Sequence, residues 1–176
     1  MCRKNRYLCI VNNMQQISPL QKTNTVPNFS TTDSEGNFFS KEILLGQKYL
    51  LYFYPRDNTP GCTAQACGFR DHYCFFQNKE IKIFGISGGS RITHENFRQK
   101  FRLPFPLLLD EQNKIAKLFG VWGEKKFMGR TFEGIHRVSF LITKSGTVEN
   151  TYLKVKAKSH PEELVRELQD KKSNST

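Results

Sequence analysis

KYLLYFYP at 48–55 is a continuous apolar run of strand length that Pro55 ends, and IKIFGIS at 81–87 is a second strand run. Runs of that kind suit strands buried on both faces of a parallel or mixed sheet. Between them, Ala66, Phe69, Tyr73 and Phe76 recur at intervals of three and four, which predicts one helix over 63–78. Ahead of the first run, residues 26–47 read as two short strands around a turn at Asp33 to Asn37. A Gly-rich loop follows the second run, and then a helix from an N-cap at Thr93 through Phe101. LPFPLLLD, with two prolines, reads as an extended connector, and Glu111 to Phe119 as a short helix closed by Gly120. RVSFLIT (137–143) and TVENTYLKV (147–155) flank a Ser145-Gly146 turn, a hairpin signal. Ser159-His160-Pro161-Glu162 opens a last helix, with a proline and an acid in its first turn. Strand, helix, strand, helix, hairpin and closing helix make an α/β fold: a central mixed β-sheet flanked by helices.

Composition narrows this only a little. A chain of 176 residues suits one domain, assigned here to 26–171, after an extension over 1–25 expected to be disordered and before a polar tail at 172–176. The apolar stretch Tyr7 to Val11 is too short for a signal peptide, so the first residues read as an extension, or Met14 as the physiological start. The net charge of +11 is spread over short clusters without an aromatic-interleaved basic strand, which argues for solubility and steering of anions over specific nucleic-acid binding. No apolar run is long enough to cross a bilayer, so no membrane role is expected. An odd set of five cysteines fits a reducing compartment, and a cytoplasmic location is expected. No role is assigned to Cys2, Cys9 or Cys74 beyond burial of Cys74 as an apolar residue, and His72 reads as a solvated helix residue.

The chemistry centres on YFYPRDNTPGCTAQACGFRD, residues 52–71. Thr59 suits a helix cap, Pro60 the first helical position, and Gly61 a close backbone approach. Cys62 then lies in the opening turn, where free N–H groups favour an anionic sulfur and so a nucleophile. Cys67 is five residues on. In an intact helix the two α-carbons are about 8.6 Å apart, beyond the roughly 4.4 to 6.8 Å that a disulfide spans. A permanent structural bond is therefore disfavoured, while a transient one formed on unwinding of the first turn is left open. Cys62, Cys67, His72 and Cys74 lack the close loop spacing of a zinc site. A thiol–disulfide exchanger would ordinarily use Cys-x-x-Cys, and four residues intervene here.

The order Pro55-x-x-x-Thr59-x-x-Cys62 resembles the peroxiredoxin signature, and TPGCTAQAC looks like its bacterioferritin comigratory protein, or PrxQ, subgroup. FGVWGEKKFMGRTFEGIHRVSFLI (119–142) is similar to a second stretch of the same family, and the likeness runs from about Pro27 to the last helix. The resemblance implies a thioredoxin-like fold and a peroxidase acting on hydrogen peroxide and organic hydroperoxides with no metal, haem or other cofactor. It implies Cys62 as peroxidatic cysteine and Cys67 as resolving cysteine. Pro55, Thr59, the backbone at Gly61, and Arg137 would form the peroxide pocket, and thioredoxin or a similar thiol protein would be the reductant. An in-chain resolving cysteine removes the need for a partner subunit, so a monomer is expected. Gly88-Gly89 departs from the commoner form of its loop. Ionising a free thiol completely at neutral pH gains only about thirtyfold, so most of the acceleration must come from donors aimed at the peroxide oxygens. Trp122, Lys125, Lys126 and Phe127 carry no assignable chemistry and read as a structural loop.

Overall fold

The computed structural model describes residues 17–153 and 155–173; residues 1–16, with Cys2, Cys9 and Met14, and residues 174–176 of the tail lie outside it. A small hairpin of β1 (Ser30–Thr32) and β2 (Phe38–Ser40) leads into a one-turn helix α1 (Lys41–Leu44) and the strand β3 (Lys48–Phe53). The helices α2 (Pro60–Asp71) and α3 (Tyr73–Asn78) return the chain to β4 (Ile81–Ser87), and α4 (Arg91–Lys100) to β5 (Leu107–Leu109). Then come α5 (Lys114–Leu118), the hairpin β6 (Trp122–Phe127) and β7 (Arg130–Ile135), the hairpin β8 (Val138–Ile142) and β9 (Val148–Tyr152), and α6 (His160–Ser173). The central sheet has the order β5-β4-β3-β8-β9, with β3, β4 and β5 parallel and β8 and β9 antiparallel. This is the mixed sheet, flanked by helices, of the thioredoxin fold.

The apolar runs build both cores because strand side chains alternate between faces. Tyr49, Leu51 and Phe53 of β3 point into a core closed by Ile115 and Ala116 of α5 and by Phe119. Leu50, Tyr52 and Tyr54 point the other way, onto Ala66 and Phe69 of α2, Phe76 of α3, Phe97 of α4 and Leu164 of α6. Residues 17–25 lie along the first core: Ile17 and Leu20 pack on it, and the Leu20 amide donates to the Phe119 carbonyl at 3.2 Å. Gly120 admits them, since a Cβ there would stand 1.8 Å from the Ser18 carbonyl oxygen.

Several local expectations are corrected. The helix over 63–78 is two helices parted at His72, which is half-buried rather than solvated. The break turns α3 relative to α2, so Cys74 is exposed instead of buried. The N-cap of α4 is Ser90, whose hydroxyl accepts from the Thr93 amide at 3.2 Å, so Thr93 lies inside the first turn. LPFPLLLD contains β5. Residues 111–113 form a 3-10 turn before α5, and Asp110 accepts from the amides of Ile115 and Ala116. Residues 122–127 are half of a hairpin whose two-residue turn, Met128-Gly129, has positive φ at both positions. Among the described residues no helix is long and apolar enough to cross a membrane.

His160, at the start of α6, is 3% exposed, accepts from or donates to the Ser139 hydroxyl at 3.0 Å, and packs edge-on against Phe69. Burial pushes its pKa down to about 4, with the Glu163 charge opposing that shift. An unfolded histidine titrates near 6.5, so on acidification the unfolded chain takes up this proton first. The stability tied to a neutral His160 is whole above about pH 6.5 and declines as pH falls toward 4, by about 2 kcal/mol at pH 5. Urea unfolding of wild type and His160→Gln at pH 7 and pH 5 should show a smaller acid loss in the variant by about that amount.

Candidate active site

At the carboxyl end of β3 the chain leaves the sheet through Pro55 to Asn58 and enters α2 at Pro60. Asn58 has a φ of 57°, a left-handed conformation that asparagine tolerates, and this turns the chain into the helix. Thr59 occupies the cap position, where its carbonyl accepts the first helical bond from the Thr63 amide at 2.9 Å. Its side chain makes no capping bond; the hydroxyl donates to the Arg56 carbonyl at 3.0 Å. The expected side-chain cap is thus absent, because the hydroxyl serves the loop behind it. Pro55 is half-buried, and its carbonyl lies 3.4 Å from the Ser87 hydroxyl at the end of β4.

Cys62 lies in the first turn of α2 with only 2% of its surface exposed. Arg137, immediately ahead of β8, brings Nη2 to 3.2 Å from the Cys62 sulfur. The backbone of β8 pairs with β3, so the strand next to the one that launches α2 also aims this guanidinium. Gly61 makes room for it, since a Cβ would stand 3.3 Å from Nη2. The other nitrogen, Nη1, donates to Oε1 of Gln65, which is fully buried one turn along α2. Gln65 thereby holds the arginine flat against the helix that carries the sulfur. It was not singled out in the sequence, although three residues after Cys62 on a helix is the spacing that puts a side chain beside the sulfur.

A cation and the amino end of α2 therefore converge on one buried sulfur, and both favour negative charge there. The same region disfavours charge on its neighbours. Burial, reinforced by the Cys62 charge, holds the Tyr52 hydroxyl far above its ordinary pKa. Burial and the Arg137 charge pull the Lys125 ammonium down, and its Nζ donates to the Ile135 carbonyl at 2.9 Å. Lys125 thus comes from the hairpin β6–β7 toward the arginine. Cys67 is half-buried, free, and in the same unbroken helix as Cys62. Of the residues singled out from sequence, Cys62, Gly61 and Arg137 are in mutual contact, Pro55 and Thr59 form the entry loop, and Cys67 is more than a turn away.

Residues 23–151 match the family model described as AhpC/TSA. Peroxiredoxin Bcp of Escherichia coli is 39% identical over 154 residues, which cover 88% of this chain and 99% of that one. Peroxiredoxin Bcp of Bacillus subtilis is 44% identical over 125 residues, covering 71% of this chain and 80% of that protein. Among solved structures, the bacterioferritin comigratory protein of Xanthomonas campestris, studied for its alkyl peroxide reduction activity, superposes with a TM-score of 0.77 at 29% identity. That match covers 88% of this chain and 99% of that one. Family model, curated relatives and fold agree, and the chain belongs to the AhpC/TSA family as a thiol peroxidase of its peroxiredoxin Bcp/PrxQ branch.

Proposed function

We propose that this peroxiredoxin reduces hydrogen peroxide and organic hydroperoxides through Cys62, forms a disulfide between Cys62 and Cys67, and is returned to the dithiol by thioredoxin or a similar thiol protein. The Cys62 thiolate attacks the near oxygen of the O–O bond. The S–O bond forms as O–O breaks, and the leaving oxygen takes a proton to depart as water or an alcohol. Arg137 steadies the thiolate and presents N–H donors to the oxygen on which charge develops. Thr59 orients the peroxide through its hydroxyl, Pro55 limits water at the sulfur, and the amides after Gly61 complete the donor set. The Cys67 thiol then displaces hydroxide from the sulfenic sulfur; with the thiol proton this leaves as water and the disulfide remains. Two thiols of the reductant reverse it by exchange.

The observation that supports this most is the Arg137 guanidinium at 3.2 Å from the buried Cys62 sulfur, anchored from behind by Gln65. Because both cysteines belong to one chain, catalysis needs no second subunit, and a cytoplasmic monomer is the expected working form. Mass spectrometry after one equivalent of hydrogen peroxide tests the scheme. The expected product has lost two hydrogens, with the link mapping to Cys62 and Cys67. Stable oxygen adducts on Cys62 with no such link would reject the resolving step.

A further inference from the structure

Asp57 lies midway between Pro55 and Thr59, and its carboxylate is almost wholly buried. Oδ1 accepts from the Tyr54 hydroxyl at 2.8 Å, and Oδ2 faces Nδ1 of His94 at 2.8 Å. His94, on α4, has no exposed surface, and its other nitrogen, Nε2, faces the Leu108 carbonyl of β5 at 3.1 Å. A carbonyl oxygen only accepts, and so does a carboxylate, so each ring nitrogen must carry a proton to satisfy its partner. A neutral imidazole has one N–H. Burial pushes the Asp57 carboxyl up, but hydrogen bonds from His94 and Tyr54 outweigh it and hold the group below its ordinary range; with Asp57 ionised, both ring nitrogens donate and the pair is an imidazolium and a carboxylate. Gly89 lies directly over the pair: a Cβ there would stand 2.6 Å from Oδ2 of Asp57 and 2.7 Å from the His94 ring. That accounts for the second glycine of Gly88-Gly89.

We propose that Asp57 and His94 form a buried charged clamp that positions Pro55 and Thr59 for peroxide, with Gly89 shaped to admit it. The proposal rests on the peroxide chemistry above. His94 on α4 and its partner Leu108 on β5 lie outside α2, the helix whose first turn opens in that scheme. The clamp thus keeps the peroxide-facing loop in place while the helix start moves. Asp57 and His94 touch neither the sulfur nor the peroxide; they act through Pro55 and Thr59, as positioning residues.

The test separates the two chemical steps by stopped-flow. In Asp57→Asn and in His94→Gln, sulfenic acid formation should slow by more than about tenfold, while disulfide formation stays within about threefold of wild type. In the double variant two amides replace both charges, and it should recover most of the loss, since removing one partner of a buried pair strands the other charge. Should a single variant not fold, Gly89→Ala crowds the clamp without removing a charge and should show the same selective loss. Nitrogen NMR of His94 in the wild type should show both ring nitrogens protonated at neutral pH. Peroxide reaction at wild-type rate in the variants, or equal slowing of both steps, would overturn the proposal, as would an unprotonated His94 nitrogen. If wild type itself forms no sulfenic acid, the peroxide chemistry fails, and the NMR result still decides whether the charged pair exists.

Discussion

Arg137→Met should slow the reaction of Cys62 with hydrogen peroxide by about a hundred- to a thousandfold, a loss of about 3 to 4 kcal/mol of transition-state stabilisation. The methionine side chain is unbranched and apolar, so it replaces the arginine stem while removing both roles proposed for the guanidinium. The sulfur loses the cation at 3.2 Å, and on the proposed scheme the developing oxygen anion loses the guanidinium's share of its N–H donors. The substitution also strands Gln65: with Nε2 already lacking a partner among the described residues, Oε1 would lose its donor too. A buried amide so exposed to unmet bonding costs about 1 to 3 kcal/mol of stability, so urea unfolding should show a lower midpoint in the same variant. Arg137→Lys should fall between. A lysine brings the charge back but has no planar fork to reach Cys62 and Gln65 together.

Iodoacetamide separates the two roles proposed for Arg137, because alkylation needs an anionic sulfur and no oxyanion donors. In Arg137→Met, alkylation of Cys62 should slow far less than peroxide reduction, and the gap between the two measures what the arginine gives the oxygens. Peroxide reduction within about threefold of wild type in this variant would remove Arg137 from the chemistry, since a lost donor at a developing anion costs far more than that.

The fold was legible in sequence wherever one apolar element meets another. β3, β4 and β8 are largely buried strands, β9 is the partly buried second half of a hairpin marked by its Ser-Gly turn, and the mixed sheet follows from their order. The hairpin β6–β7 was hidden because it is mostly exposed, with Phe127 67% and Met128 86% accessible, so no core imposes alternation on it. Its turn is Met-Gly, which lacks the Asn-Gly or Asp-Gly signal that usually marks a two-residue hairpin. The break at His72 was masked by Tyr73 and Phe76, which continue the helical spacing and pack on the same core, so periodicity alone reads through it. Two prolines disguised β5. They precede its three residues, and at the edge of the sheet a missing N–H costs little.

At the site the division is similar. Cys62 declared itself through its local frame of Thr59, Pro60 and Gly61, all within three residues. Arg137 was reached only through the family resemblance, because its approach to the sulfur depends on β8 pairing beside β3. Asp57 and His94 are 37 positions apart, and neither belongs to a local pattern; the contact between them exists only once α4 has packed on the sheet. Side chains that act across the fold leave little trace in a chain read one segment at a time.

Cys67→Ser should consume one equivalent of peroxide and then stop, with turnover supported by thioredoxin at background. In α2 the two cysteines are five residues apart on an unbroken helix, which puts their α-carbons about 8.6 Å from each other, so the bond requires the first turn to open. The far half of the helix is held firmly. Phe69 is fully buried, Gly68 lies so close under Pro161 that a Cβ would stand 2.8 Å away, and Arg70 donates to the Phe101 carbonyl at 2.8 Å. The near half is tied through Arg137, which bonds Cys62 and Gln65, and has little else at its start. Thr59 supplies no side-chain cap, and Gly61 has no side chain to pack. Opening should therefore run from Pro60 toward Cys67 and halt near Ala66, whose side chain is fully buried. In Cys67→Ser, Cys62 should persist as a sulfenic acid that dimedone traps, and excess peroxide should carry it on to the sulfinic acid. Cys74 offers no substitute, since it lies beyond the His72 break on an exposed face, and Cys74→Ser should turn over as wild type does. Normal cycling of Cys67→Ser with thioredoxin would move the resolving role elsewhere, and the double variant lacking Cys67 and Cys74 would then tell an in-chain partner from direct attack by the reductant on the sulfenic sulfur.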